Sequence, residues 1–179
     1  MSAPEFSRLV RVDTLGPEPR TMEVEAEEAE REALAKRFGL EAIARLAAEV
    51  TLVRKGEEVS VKGVLSAAAT QACVATGEPV AETVETPFEL VFRPPPQRVN
   101  AEEEVELSEG ELDVIFYDGA SVDLGEAVAE TLFLSLDPYP RSASADAALR
   151  EAGVKSEEEA QAESSPFAAL GALKDKRKS

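Results

Sequence analysis

Histidine and tryptophan are both missing from the 179-residue chain, and cysteine occurs once. Without histidine there is no Ser-His or Cys-His catalysis, no His-liganded metal and no imidazole switch near neutral pH. A single cysteine makes no disulfide within the chain and no thiolate metal cage of its own. Aromatic residues make up only 5% of the chain. The core therefore has to be aliphatic, built on Leu, Val and Ala with a few Phe. Long apolar runs are missing too. The longest nearly uncharged stretch, residues 64–77, is rich in Ala, Thr and Ser and far short of the ~20 apolar residues that span a bilayer. Glu5, Asp13 and Glu18 interrupt the opening residues, which predicts no secretory signal. Positive charge is scarce, with 19 basic against 36 acidic residues and a net charge of −17. Such a charge disfavours anionic membrane surfaces and unneutralised nucleic acid. The expectation is a cytoplasmic, acidic, monomeric protein, one domain with tails.

Alternation is the clearest positive signal. Val10 and Val12 alternate with Arg11, and residues 21–26 alternate again, which predicts two strands. Residues 27–38 start acidic, end on Lys36 and Arg37 and stop at Gly39, the charge order and terminator of a helix with Leu34 and Phe38 inward. Residues 40–46 are ambiguous; Leu40, Ile43 and Leu46 suit a short helical turn. Residues 49–55 and 59–74 read as a hairpin around Gly56, and residues 80–92 as a third long strand with Phe88, Leu90 and Phe92 on one face. Pro87 predicts an edge position or a bulge there. Residues 94–111, acidic behind three prolines, read as a flexible insertion. Residues 112–117 form a further strand. Asp123 is a natural N-cap for a helix over residues 124–136, with Leu124, Val128, Leu132 and Leu136 buried and Ala127 and Leu134 flanking.

The fold expected is α+β: an antiparallel β-meander packed by two main helices. It occupies residues 1–140, followed by a disordered acidic linker over 141–164. A short amphipathic segment over 165–179 ends the chain.

Three ordered stretches carry a family resemblance. The first is Gln71-Ala72-Cys73-Val74-Ala75-Thr76-Gly77-Glu78-Pro79-Val80, followed by Pro87-Phe88-Glu89-Leu90-Val91-Phe92. The second is Val122-Asp123-Leu124-Gly125-Glu126-Ala127-Val128-Ala129-Glu130-Thr131-Leu132, running on to Asp137-Pro138-Tyr139-Pro140. The third is Ser165-Pro166-Phe167-Ala168-Ala169-Leu170-Gly171-Ala172-Leu173-Lys174. Together they resemble the YceD family, named for accumulation of large-subunit ribosomal RNA; residues 5–8 and 37–40 are similar to its proteobacterial branch. The resemblance implies a non-catalytic ribosome-biogenesis factor supporting processing or accumulation of the large-subunit (23S) ribosomal RNA. Many relatives carry C-x-x-C at the first stretch and further cysteines after the last helix, a set that looks like a zinc site. Here Thr76 stands three residues after Cys73, and Arg141-Ser142-Ala143-Ser144 carries no cysteine. No metal or cofactor is therefore expected, and Cys73 reads as a small strand or turn residue.

Two surfaces are candidates for a partner. Asp123, Glu126 and Glu130 fall on one helix side and could form an acidic face. Phe167, Leu170 and Leu173, followed by Lys174, Lys176, Arg177 and Lys178, could form a docking tail. The acidic body repels a polyanion over about 8 Å at physiological salt. The partner expected is thus a ribosomal or other basic assembly protein, with ribosomal RNA reached indirectly or through the tail. Two readings from other classes stand beside this one. A Mg²⁺-dependent hydrolase or nuclease would need converging carboxylates. A small-ligand carrier would need an apolar cavity beside Phe88, Leu90 and Phe92.

Overall fold

The computed structural model describes residues 4–95, 113–118 and 120–155. The strands are β1 (Leu9–Arg11), β2 (Arg20–Glu25), β3 (Ala42–Lys55), β4 (Glu58–Ala72), β5 (Pro79–Arg93), β6 (Asp113–Phe116) and β7 (Ser121–Asp123). The helices are α1 (Glu28–Phe38), α2 (Leu124–Ser135) and α3 (Ala145–Glu151). A five-stranded sheet runs in the order β2-β3-β4-β5-β6, and β1 pairs with β7 in a separate two-stranded ribbon. The chain is α+β, as the alternation predicts.

β4 shows why the sheet buries one face. Val59, Val61, Leu65, Ala67 and Ala69 alternate with more exposed neighbours and enter the core, the period of two that a half-covered sheet requires. Gly63 completes the row. A Cβ there would lie 2.6 Å from the Glu49 carbonyl oxygen and 2.9 Å from a Val50 methyl, so only glycine fits against β3. The helices close the buried face: Leu34 of α1 and Val128 and Leu132 of α2 join Leu90 and Phe92 in one core, with Phe38 and Phe88 packed against it.

α1 begins with the reciprocal capping pair of Glu27 and Glu30 and ends at Gly39, whose φ of 68° lies in the left-handed region. That positive φ is the reason for a glycine at this stop.

One ambiguous stretch is settled and three expectations need correction. Residues 40–46 hold no helical turn: β3 begins at Ala42, and a register shift between Ile43 and Arg45 inserts one extra residue. The bulge turns a two-residue period into the three-residue spacing that places both Ile43 and Leu46 inside. The main sheet is not wholly antiparallel, since β6 runs parallel to β5; the intervening residues 94–112 give the length such a connection needs. Leu134 does not flank the buried stripe but is 79% exposed. The segment read as disordered linker holds α3 in its first part and buries Ala145. Pro87 stands in unbroken register opposite Val64, while β6 begins only opposite Leu90. At Pro87 β5 is thus an outer strand, one of the two placements its missing N–H allows. The insertion over 94–111 lies outside the described residues from residue 96 onward.

Candidate functional site

Helix α2 gathers most of the residues singled out in the sequence, and it treats them differently. Asp123 is wholly engaged in holding the helix in place. Its carboxylate accepts from the backbone N–H groups of Gly125 (3.0 Å) and Glu126 (3.3 Å), capping α2. It also accepts from the Arg8 N–H at 2.8 Å and the Ser7 hydroxyl at 2.5 Å, which ties the N-terminal segment to the cap. Glu126 faces Arg37 of α1 in a two-pronged ion pair of 2.6 and 2.9 Å, and Arg37 also reaches Glu5 at 3.1 Å. Hydrogen bonding to Glu126 raises the guanidinium above its already high ordinary pKa, against the opposing effect of desolvation.

Glu130 is different. It makes no hydrogen bond or ion pair among the described residues. Desolvation is the main cause that lifts its carboxyl above the ordinary range, and the like charge of Glu126 adds to it, while Arg37 pulls the other way. It sits in the wall of an open groove of about 540 Å³ between α2 and the β5–β6 edge, lined by Phe88, Leu90, Val114, Ile115, Leu134 and Asp113 among others. Leu134 also lines the neighbouring groove at the C-terminal end of α2, with Phe38, Leu40, Val74 and Phe133. Phe133 stacks on Phe38 with ring centroids 4.9 Å apart and is still 50% exposed. Val74 and Leu134, which line the same groove, are 56 and 79% exposed. The patch is apolar, and Glu130 in the adjoining groove wall is an exposed acid with no hydrogen-bond or ion-pair partner among the described residues.

The sequence singled out the acids and missed this patch. The signal was present: Leu134 stands two residues from Leu132, about 200° around a helix of 3.6 residues per turn, and so opposite the buried stripe. The tail residues Phe167, Leu170, Leu173, Lys174, Lys176, Arg177 and Lys178 lie outside the described residues. Of the residues offered as lining for a ligand cavity, Phe92 lies in the packed core, while Phe88 and Leu90 pack on or in that core and also line the open groove.

Cys73 stands in a turn that docks on the stretch after α2. Val74 N–H donates to the Pro140 carbonyl at 2.9 Å, and Ser142 N–H donates to Cys73 Sγ at 3.3 Å. The hydroxyls of Thr76 and Ser142 are 3.2 Å apart, those of Ser142 and Ser144 are 3.0 Å apart, and Ser144 bonds Glu78. The two segments are therefore stitched by hydrogen bonds. The Ser142 N–H, followed by the Thr76 and Ser142 hydroxyls, pulls the buried thiol down to about 6. The folded pKa lies below the unfolded one. The stabilisation is thus complete above the ordinary thiol pKa and is lost as pH falls through about 6. Ultraviolet titration of the thiolate should show its midpoint at about 6, and Thr76→Val should move it upward. A midpoint at the ordinary ~8.5 would contradict this arrangement.

Among the described residues no group of three or more His, Cys, Asp or Glu is placed to hold a metal ion, and no helix is long and apolar enough to cross a membrane.

A model of the YceD family, described as large ribosomal RNA subunit accumulation protein YceD, matches residues 61–174, well over half of the chain. The chain belongs to the YceD family. Comparisons with curated proteins and with solved structures gave no match. The YceD match starts inside β4 and takes in the Cys73 turn, all of α2 and α3, and the segment through Lys174. Its description ties the chain to a ribosome-biogenesis-related role and names the accumulation of a ribosomal RNA, not a reaction. The Asp123-Leu124-Gly125-Glu126 signature is explained by structure: a cap, a buried anchor, a close approach and a helix–helix ion pair.

Proposed function

We propose that this YceD protein is a non-catalytic, cytoplasmic factor that supports processing or accumulation of the large-subunit ribosomal RNA by binding a basic protein of the large-subunit assembly pathway. The observation that carries the reading is the exposed apolar patch of α2 with Glu130 unpaired in its wall, on a chain whose family description names ribosomal RNA accumulation. A net charge of −17 makes naked RNA a poor first partner and a basic protein a good one. The acids examined for chemistry are consumed by capping and pairing at Asp123 and Glu126, which supports a binding role over a hydrolytic one. The basic partner would set its apolar side on Leu134 and Phe133 and a cation beside Glu130. The tail cations Lys174, Lys176, Arg177 and Lys178 would then contact nearby phosphate.

Affinity recovery from cell lysate with the full-length chain tests this. Large-subunit assembly proteins should be recovered both with and without nuclease. Leu134→Asp or Glu130→Lys should reduce that recovery about tenfold or more, the loss expected when a central anchor is removed. Loss of all ribosomal material on nuclease treatment would show that RNA, not protein, is the direct partner.

A further inference from the structure

Strand β5 has a partner on each side only where it meets β6. From Leu90 to Arg93 it lies between β4 and β6, and from Pro79 to Glu89 it pairs with β4 alone among the described residues. One bond fixes the direction of the open side. The Tyr117 N–H donates to the Arg93 carbonyl at 3.0 Å, so Arg93 turns its main-chain groups away from β4. That direction alternates along a strand, and the register of β5 with β4 is unbroken. The main-chain N–H and C=O groups of Glu89, Glu85 and Thr83, and the carbonyl of Pro87, therefore face the same way as those of Arg93. Pro87 fits this side because its missing N–H breaks no bond to β4. Its carbonyl accepts from the Thr86 hydroxyl at 3.3 Å. We propose that this edge is a strand-addition site: an extended, lysine- or arginine-bearing segment of another protein pairs with the main chain of β5 along residues 83–89. The proposal rests on the basic partner read above and adds how that partner is held.

The groove along α2 lies beneath this edge. Thr86 and Phe88 of β5 form one wall, and Thr131 and Leu134 of α2 form the other. A strand laid on the edge turns alternate side chains to one face, and that face opens on the groove. Main-chain bonds to the edge then supply affinity, and the groove selects the side chains. Charge chooses between occupants. Glu89, Asp113 and Glu130 line the groove, and no basic residue lines it among the described residues. Glu89 is paired with Lys62, whereas Asp113 and Glu130 have no ion pair among the described residues. Glu85 is exposed on the edge itself. A cationic strand meets these carboxylates well within the screening length of about 8 Å. A second copy of this chain would set Glu85 and Glu89 against their own counterparts, with a net charge of −17 on each molecule, the arrangement by which edge strands avoid pairing with themselves.

Amide exchange followed by nuclear magnetic resonance tests the proposal, using the full-length chain and a synthetic peptide of alternating valine and lysine about as long as residues 83–89. In the free chain the amides of Thr83 and Glu85 should exchange at least about tenfold faster than those of Val84 and Phe88, which point to β4. The peptide should slow Thr83 and Glu85 about tenfold or more and leave Val84 and Phe88 as they were. The same peptide with glutamate in place of lysine should not bind. Glu85→Pro should bind the lysine peptide about tenfold more weakly than Glu85→Gln, which loses the same charge and keeps the N–H. Both variants should keep the wild-type denaturation midpoint, because that N–H makes no bond to β4. Leu134→Asp should weaken binding too, and Val64→Asp, on the opposite, outer face of β4, should not. Slow exchange at Thr83 and Glu85 in the free chain would overturn the proposal by showing the edge already covered, by a second copy where the slowing grows with protein concentration. Failure of the lysine peptide to bind, or binding that leaves both amides fast, would overturn it as well. Any of these results with assembly proteins still recovered in the affinity experiment would leave the basic partner in place and remove strand addition.

Discussion

Truncating Leu132 to alanine should destabilise the protein by about 2–5 kcal/mol, read as a lowered denaturation midpoint with little change in slope. Leu132 has no exposed surface and stands on the buried side of α2, in one core with Leu90 and Phe92 of β5 and Leu65 of β4. The cost has two parts: the lost transfer free energy of the removed carbons, and the cavity left because a sheet and a helix relax only partly around it. The same helix contains its own control. Leu134, two residues on and 79% exposed, should tolerate alanine within about 0.5 kcal/mol. A similar response at both positions would mean that the rotation of α2 is wrong, and with it the patch offered to a partner.

Gly125→Ala should cost about 1–3 kcal/mol, the usual range for forcing an added carbon into a packed site. A Cβ at this position would come within 2.8 Å of the Phe6 carbonyl oxygen and 2.9 Å of the Arg8 nitrogen. Both are backbone atoms, so the strain cannot be relieved by turning a flexible side chain. Either α2 or the N-terminal segment has to move. Movement would stretch the bonds from Arg8 N–H and Ser7 to Asp123 and disturb Phe6, which is fully buried. The effect of Gly125→Ala should therefore be largely lost in an Asp123→Ala background, because the two substitutions break one joint. Hydrogen exchange should report faster opening of residues 6–10 in Gly125→Ala. A substitution without effect would mean that the N-terminal segment does not bear on α2 as described.

Local pattern carried well where one physical cause acted alone. The clean alternation of Val59, Val61, Leu65, Ala67 and Ala69 was legible because a sheet with one covered face imposes a period of two. The limits of α1 and α2 were legible because capping and termination depend on a few adjacent residues: Glu27, Glu30, Gly39 and Asp123. The bulge at Ile43 and Arg45 was not legible, because an inserted residue imitates helical spacing over a window as short as Leu40 to Leu46. The parallel placement of β6 depends on a long-range pairing that no local pattern encodes. At the candidate site, the helix and its acids were visible, but their partners were not. Asp123 and Glu126 look alike as exposed acids until Ser7, Arg8 and Arg37 arrive from distant parts of the chain. Only Glu130 is left without such a partner among the described residues. The patch around Leu134 was within reach, had the angular position of each leucine on α2 been followed to the last turn.

The most direct measurement of the central claim is the level of large-subunit relative to small-subunit ribosomal RNA in cells depleted of this protein and supplied with variants. The account predicts a fall in large-subunit ribosomal RNA on depletion. The wild-type chain and Val64→Asp should restore it, and Leu134→Asp, although folded, should not. An unchanged ratio on depletion, or full restoration by Leu134→Asp, would contradict a role exercised through the α2 surface.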